Sequence, residues 1–213
     1  LGIITCQLLQ LNGCNVLGID IDQAKCKLAN DIGIKTSLNQ ETQELLNESS
    51  SFSNNVGMDG VIITAASKSN EVIHQAASIS KQRGKIVLVG SVGLDLKRED
   101  FYEKELSFQV SCSYGPGRYD EVYEVDGVDY PIGFVRWTEK RNFETFLNIL
   151  SSGKLTIEKL ISHRFKFKDA PKAYSDEVLN KAMGILLSYK TTKDTENKKI
   201  KYSHAKDNRL GNK

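Results

Sequence analysis

Apolar residues in this chain fall in short unbroken runs set between longer stretches of mixed polarity. Residues 59–67 read Asp-Gly-Val-Ile-Ile-Thr-Ala-Ala-Ser, and residues 84–93 read Gly-Lys-Ile-Val-Leu-Val-Gly-Ser-Val-Gly. Each is a run of aliphatic and β-branched residues that stops at small ones. Continuous rather than alternating apolarity marks strands buried on both faces, as in parallel sheets. Residues 68–81, between the two runs, have helical spacing. The pattern predicts a strand–helix–strand unit with small residues at both carboxyl ends, where ligands of open parallel sheets sit.

The rest of the pattern extends this unit in both directions. Residues 1–11 predict a buried helix stopped by Asn12 and Gly13. Residues 15–20 predict a strand, and 22–31 a helix capped by Asp22, with Gly33 beyond its end. A short strand at 35–38, a polar helix at 40–47 and a Ser/Asn-rich loop at 48–57 follow. Beyond the central unit come a strand at 106–113, a helix at 138–151 capped by Thr138, a strand at 160–167, a helix at 169–179 and a strand at 184–189. Alternating strands and helices predict an α/β fold, a doubly wound, Rossmann-like parallel sheet. The text opens on a helix, whereas such a domain opens on a strand and a turn. The expectation is therefore an N-terminally incomplete domain.

Residues 114–137 fit no period. They hold two of the three prolines, four glycines, four tyrosines, two arginines and the only tryptophan. A long loop inside a compact domain is commonly functional or disordered, and this aromatic content argues for order. Two readings stand. The loop is packed by its own aromatics or forms a subunit contact, or it is a lid whose Tyr and Trp stack on a sugar ring while Arg118 or Arg136 grips an anion.

Charge and cysteine usage narrow the function classes. The segment from Lys190 to the end has eight Lys and Arg against three Asp and Glu, so the chain's net +2 leaves −3 for residues 1–189. The basicity belongs to a charged linker at 190–213, which predicts neither a nucleic-acid nor a membrane partner. Cys6, Cys14, Cys26 and Cys112 show no metal-ligand spacing, and His74, His163 and His204 are scattered. No metal site and no catalytic residue are expected in this chain, and the reduced thiols suit the cytoplasm. His163 reads as a structural strand histidine, and Glu103, Lys104 and Glu105 as a solvated turn.

One spacing points to a cofactor. Gly2 opens a helix, and Asp20 follows 18 residues later at the end of a strand. In a dinucleotide fold a glycine at the helix start allows close packing, and an acid roughly 20 residues on binds the adenosine ribose hydroxyls. A carboxylate there repels a 2′-phosphate, which favours NAD over NADP. The plain alternative for Asp20 is a strand-end residue capping the next helix.

Gly2, the run 16–22 (Val-Leu-Gly-Ile-Asp-Ile-Asp) with Lys25, the runs 59–67 and 87–91, and Ser-Cys-Ser-Tyr-Gly at 111–115 occur in the order seen in medium-chain dehydrogenases. The chain resembles this zinc-type alcohol dehydrogenase superfamily over roughly residues 1–189. The segments 113–120 and 130–142 are similar to bacterial two-domain oxidoreductases, in which the dehydrogenase is fused to a unit of the glucose–fructose oxidoreductase type. The resemblance implies hydride transfer between nicotinamide and an alcohol or carbonyl substrate, with a sugar derivative as a candidate. It implies that Asp20 binds the ribose, with Ile21 beside the adenine and Lys25 near the ribose. Thr64, Ala65 and Ala66 would line the cofactor, Val89, Gly90 and Ser91 would pass beneath its nicotinamide end, and backbone groups of Cys112 and Tyr114 would hold the carboxamide.

It also implies a domain plan: residues 1–113 bind the dinucleotide, 114–137 form the loop, and 138–189 end that domain and return into a catalytic domain. The zinc ligands would lie upstream, so zinc could enter only through residues outside this chain. Gly184 stands where relatives often place a cation near the pyrophosphate, and Arg118 is the candidate replacement. A small-molecule substrate, a homo-oligomer and a fused downstream domain are the implied partners. The fragment alone would bind without turning over. Two other classes remain in view: a metal-free NADP-dependent quinone or enoyl reductase, and a non-catalytic dinucleotide-sensing module.

Overall fold

The computed structural model describes residues 1–190. The expected linker at 190–213, apart from Lys190, and His204 within it lie outside the described residues. Two compact units separate within the chain, the first Leu1–Lys159 and the second beginning at Leu160. The boundary falls inside the expected return segment at 138–189.

The first unit begins with α1 (Gly2–Leu11), β1 (Leu17–Asp20), α2 (Gln23–Asn30), β2 (Lys35–Leu38) and α3 (Thr42–Phe52). It continues through β3 (Met58–Ile63), α4 (Glu71–Ile79), β4 (Ser80–Leu88), α5 (Arg98–Tyr102) and β5 (Ser107–Val110), then α6 (Glu121–Glu124) and α7 (Glu139–Ser151). β1 pairs with β2, and β3–β4–β5 form a second ladder in that order; every pairing is parallel. This is the Rossmann-like α/β fold that the apolar runs predict. Helix α4 packs on the three-stranded ladder. Ile73, Ala76 and Ala77 of α4 meet Ile63, Ile86 and Leu88 of the strands, with Phe101, Leu106 and Phe108 at the margin. Residues at i, i+3 and i+4 of the helix thus cover one face of the strands. The other face is partly open, with Ile62 and Val110 exposed, so burial alternates where the continuous apolar runs predict two covered faces.

Three elements depart from expectation. Helix α1 forms, but its one buried residue is the polar Gln7. The Gln7 side-chain amide donates to Thr156 O (3.3 Å), and its Oε1 accepts from Thr156 N (2.7 Å). Helix α3 runs through the segment read as a Ser/Asn loop, because Leu45 and Ser49, one turn apart, both turn inward. Tertiary packing overrides the weak helix propensity of serine. The segment 98–102 is helical, where no helix was expected.

The second unit holds β6 (His163–Lys166), α8 (Ala170–Ala173), α9 (Asp176–Leu179) and β7 (Ile185–Ser188), with β6 and β7 parallel. The single helix expected at 169–179 is broken at Ser175, whose backbone is extended (φ −69°, ψ 145°). His163 is a strand residue bonded to Ser162 Oγ (2.9 Å) and stacked near Phe165.

Candidate functional site

Beyond the last ladder residues, the chain forms a shelf of small side chains. The amides of Val89 and Gly90 both donate to Ile63 O (2.9 Å each), and Ser91 N donates to Ala65 O (3.0 Å). Ser67 N returns to Ser91 O (2.8 Å), and Ala66 and Ser91 form a parallel bridge. Ser111 N donates to Leu88 O (2.8 Å), which brings the exit of β5 to the same edge. Gly90 is required here: a Cβ would lie 2.1 Å from Ala65 O. Ala65, Ala66, Val89, Ser91 and Cys112 are exposed, while Thr64 and Gly90 are partly buried. The edge therefore offers open backbone and small side chains to a flat ligand.

Helix α1 adjoins this shelf. A Cβ on Gly2 would stand 3.0 Å from Thr64 Oγ1, so glycine lets the helix start abut the end of β3. Asp20 is the last residue of β1. Its Oδ1 accepts from Asp22 N (2.9 Å) and its carbonyl from Asn39 N (2.9 Å). Asn39 Nδ2 in turn donates to Gln75 Oε1 of α4 (2.7 Å), tying the β1–β2 edge to the β3 side. Asp22 caps α2, accepting from Ala24 N and Lys25 N. The N-cap of α2 is thus Asp22, and Asp20 bonds the amide of that cap residue. Lys25 pairs with Asp22 at 3.7 Å, and Ile21 is 77% exposed.

The loop at 114–137 is ordered around its own aromatics. Tyr114, Tyr123 and Tyr130 form a ladder with ring centroids 6.3 and 5.7 Å apart. Each of three carboxylates holds a loop group. Glu124 accepts from the Tyr114 hydroxyl and from Arg118 Nη1 (2.5 Å). Asp120 accepts from the Tyr130 hydroxyl and caps α6 through Val122 N (3.0 Å). Asp129 pairs with Arg141 (3.1 Å), whose guanidinium also donates to Tyr130 O and Val135 O. The Tyr114 hydroxyl, then Arg118, hold Glu124 below the usual carboxylate range, and the Tyr130 hydroxyl does the same to Asp120. The same bonds push both tyrosine hydroxyls up. Arg118, read from sequence as an anion grip, thus already holds an anion. Arg136 lies over the Trp137 ring at 4.1 Å. Thr138 sits at the N-terminus of α7 as expected, yet its buried hydroxyl has no cap bond and no partner among the described residues. A cavity of about 420 Å³ lies between Leu8 of α1, Tyr114, and Phe143, Phe146 and Ile149 of α7.

Two clusters that sequence reading missed lie away from the shelf. Lys104, expected in a solvated turn, donates from Nζ to the carbonyls of Ala77 (3.0 Å), Ser78 (2.7 Å) and Ser80 (2.9 Å) at the end of α4. His74 of α4 bonds through Nδ1 to Asp100 of α5. No sequence spacing signals either one. Among the described residues no three His, Cys, Asp or Glu converge to hold a metal ion, so zinc does not fit them. No described helix is long and apolar enough to cross a membrane.

Residues 1–125 match the family model described as zinc-binding dehydrogenase. The chain is 23% identical over 182 residues to the uncharacterised zinc-type alcohol dehydrogenase-like protein YdjJ of Escherichia coli K12, covering 82% of this chain and 44% of that protein. Galactitol-1-phosphate dehydrogenase of E. coli aligns with TM-score 0.63 at 22% identity, over 86% of this chain and 49% of that one. The alcohol dehydrogenase rspB of E. coli CFT073, solved with NADH, aligns with TM-score 0.61 at 22% identity, over 87% and 48%. These structural likenesses establish the fold, and the chain spans about half the length of the proteins it matches. The edge geometry and the matched residues lead to one assignment: the chain belongs to the zinc-binding dehydrogenase family of alcohol dehydrogenase-like oxidoreductases.

Proposed function

We propose that this chain is the cofactor-binding part of an NAD-dependent oxidoreductase that moves hydride between nicotinamide and an alcohol or carbonyl carbon. The observation that carries the reading is the open shelf at 64–66 and 89–91, with Asp20 at the end of β1. The close approach at Gly90 is the kind of backbone cradle a flat cofactor needs. The relative solved with NADH supports the choice of nicotinamide. In this reading Asp20 binds the adenosine ribose, and Ile21 lies beside the adenine. Thr64, Ala65 and Ala66 line the middle of the cofactor. Val89, Gly90, Ser91 and the backbone of Cys112 and Tyr114 carry its nicotinamide end. The bound cofactor supplies the hydride chemistry, and the chain supplies orientation. A sugar derivative is the proposed substrate class, and further domains complete the enzyme.

Equilibrium titration with NAD and NADP tests the reading. NAD should bind more tightly, and Asp20→Ala should weaken NAD by about tenfold or more, the loss of one or two hydrogen bonds to a charged group. Equal or tighter binding of NADP would overturn the NAD assignment. Binding of neither cofactor by the full-length protein would sink the whole reading.

A further inference from the structure

The loop that leaves β5 closes on a carboxylate of its own, Glu124. Backbone φ is positive at every second residue: Ser113 (40°), Gly115 (90°), Gly117 (98°) and Tyr119 (68°). Positive φ at these alternate positions folds the segment into successive tight turns. The turns are fixed by Gly115 N to Cys112 O (2.7 Å), Arg118 N to Gly115 O (3.2 Å) and Asp120 N to Gly117 O (3.1 Å). Gly117 is buried under Tyr123, whose ring would stand 2.5 Å from a Cβ, so the ladder presses the loop into this shape. The Tyr114 hydroxyl and the Arg118 guanidinium both donate to the Glu124 carboxylate. Arg118 is braced over the Tyr119 ring at 4.3 Å.

We propose that Glu124 is a tethered stand-in for an external anion, and that Tyr114 and Arg118 form a binding site for a phosphate or carboxylate group. Three observations carry this. The donor set is of the kind that recognises tetrahedral or planar anions: a guanidinium and a hydroxyl aimed at one carboxylate. The site is reachable, since Arg118 and Glu124 side chains are 36% and 28% exposed. The occupant belongs to no strand and to no core cluster, since Glu124 is the last residue of a four-residue helix with no buried residue. The site stands only a few residues from the cofactor shelf, at the exit of β5. An incoming anion must compete with the resident carboxylate, so removing that carboxylate raises apparent affinity by the reciprocal of the open fraction.

Sulfate, a dianion throughout the neutral range, is the probe. In calorimetric titration of the full chain, Glu124→Gln should bind sulfate about tenfold more tightly than the native protein, as for a site about one-tenth open. Arg118→Ala in the Glu124→Gln background should abolish the gain. Glu124→Ala provides the second variant, and near-ultraviolet circular dichroism monitors the tyrosine ladder in each. If neither variant gains sulfate affinity, or if the gain survives Arg118→Ala, the carboxylate is a structural tie and the site falls. NAD then distinguishes two sources of the same chemistry. Sulfate that NAD displaces assigns the cradle to the cofactor's pyrophosphate; sulfate that stays beside bound NAD assigns it to an anionic substrate group. The sulfate result stands or falls independently of NAD binding, so it separates this site from the cofactor reading.

Discussion

At Gly90 a single hydrogen decides whether two strand ends meet. Alanine there would place Cβ against Ala65 O, with Thr64 C also only 2.8 Å away, and both are backbone atoms that cannot swing aside. Gly90→Ala should cost about 1–3 kcal/mol in urea unfolding, in the range of overpacked sites, and should weaken cofactor binding further by spreading the shelf. The carboxylates of the loop give a second residue-level expectation. Glu124 and Asp120 are held below their ordinary values of 4.5 and 3.8 in the folded chain. A depressed folded value means their stabilisation is fully present above the ordinary range and is lost as pH falls through the folded value. The near-ultraviolet signal of the tyrosine ladder should therefore hold steady above pH 4.5 and fall below 3.8. In Glu124→Gln the acid loss should shrink, leaving the part that belongs to Asp120.

Helix α4 shows how an element is finished by residues far from it in sequence. Its C-terminal carbonyls have no partner within the helix, a defect common to all helix ends. No Lys or Arg of its own stands in the last turn. Lys104 fills the place from beyond α5, with its ammonium against the negative end of the helix. Burial pushes that ammonium below the usual lysine range, and the three carbonyls keep it in place. Lys104→Met keeps most of the stem and removes the donors. It should destabilise the first unit by about 1.5–3 kcal/mol, read from urea unfolding. The His74–Asp100 bond, with both side chains about four-fifths buried, clamps α4 to α5 by a second point. Asp100→Ala should cost about 1–3 kcal/mol by leaving a buried imidazole without its partner.

Across the molecule, stability is concentrated where α4 crosses the three-stranded ladder. Ile73 and Ile86 are fully buried there, one from the helix and one from the central strand. Ile86→Ala should cost about 2–5 kcal/mol, the range for a large-to-small change in a packed core. Helix α7 presents the opposite case, with no buried residue and with Phe143 and Leu147 about 60% exposed. The described residues thus divide into a sheet–helix core and an apolar helix face that they leave open. The proposed sites follow the same division. The shelf rests on the core, and the proposed anion site rests on the loop that joins the core to α7.

The chain's sequence by itself determined the class of fold and the edge where its small residues gather. Runs such as 59–63 and 85–88 form parallel strands, and small residues such as Ala65, Ala66 and Gly90 follow them where a backbone approaches closely. Both facts are local, so periodicity and composition expose them. Asp22 as a cap and the positions of β1 and β2 were legible for the same reason. The tertiary structure alone decided which charges meet. Glu124 with Arg118 and Tyr114, Lys104 with three carbonyls, and His74 with Asp100 are pairings across 6 to 27 residues. No pattern of residue types encodes them, because a hydrogen bond depends on where the backbone carries its two ends. The inward turn of Ser49 and the polar core contact of Gln7 were hidden likewise. Packing against neighbours supplied the free energy that local propensity lacked.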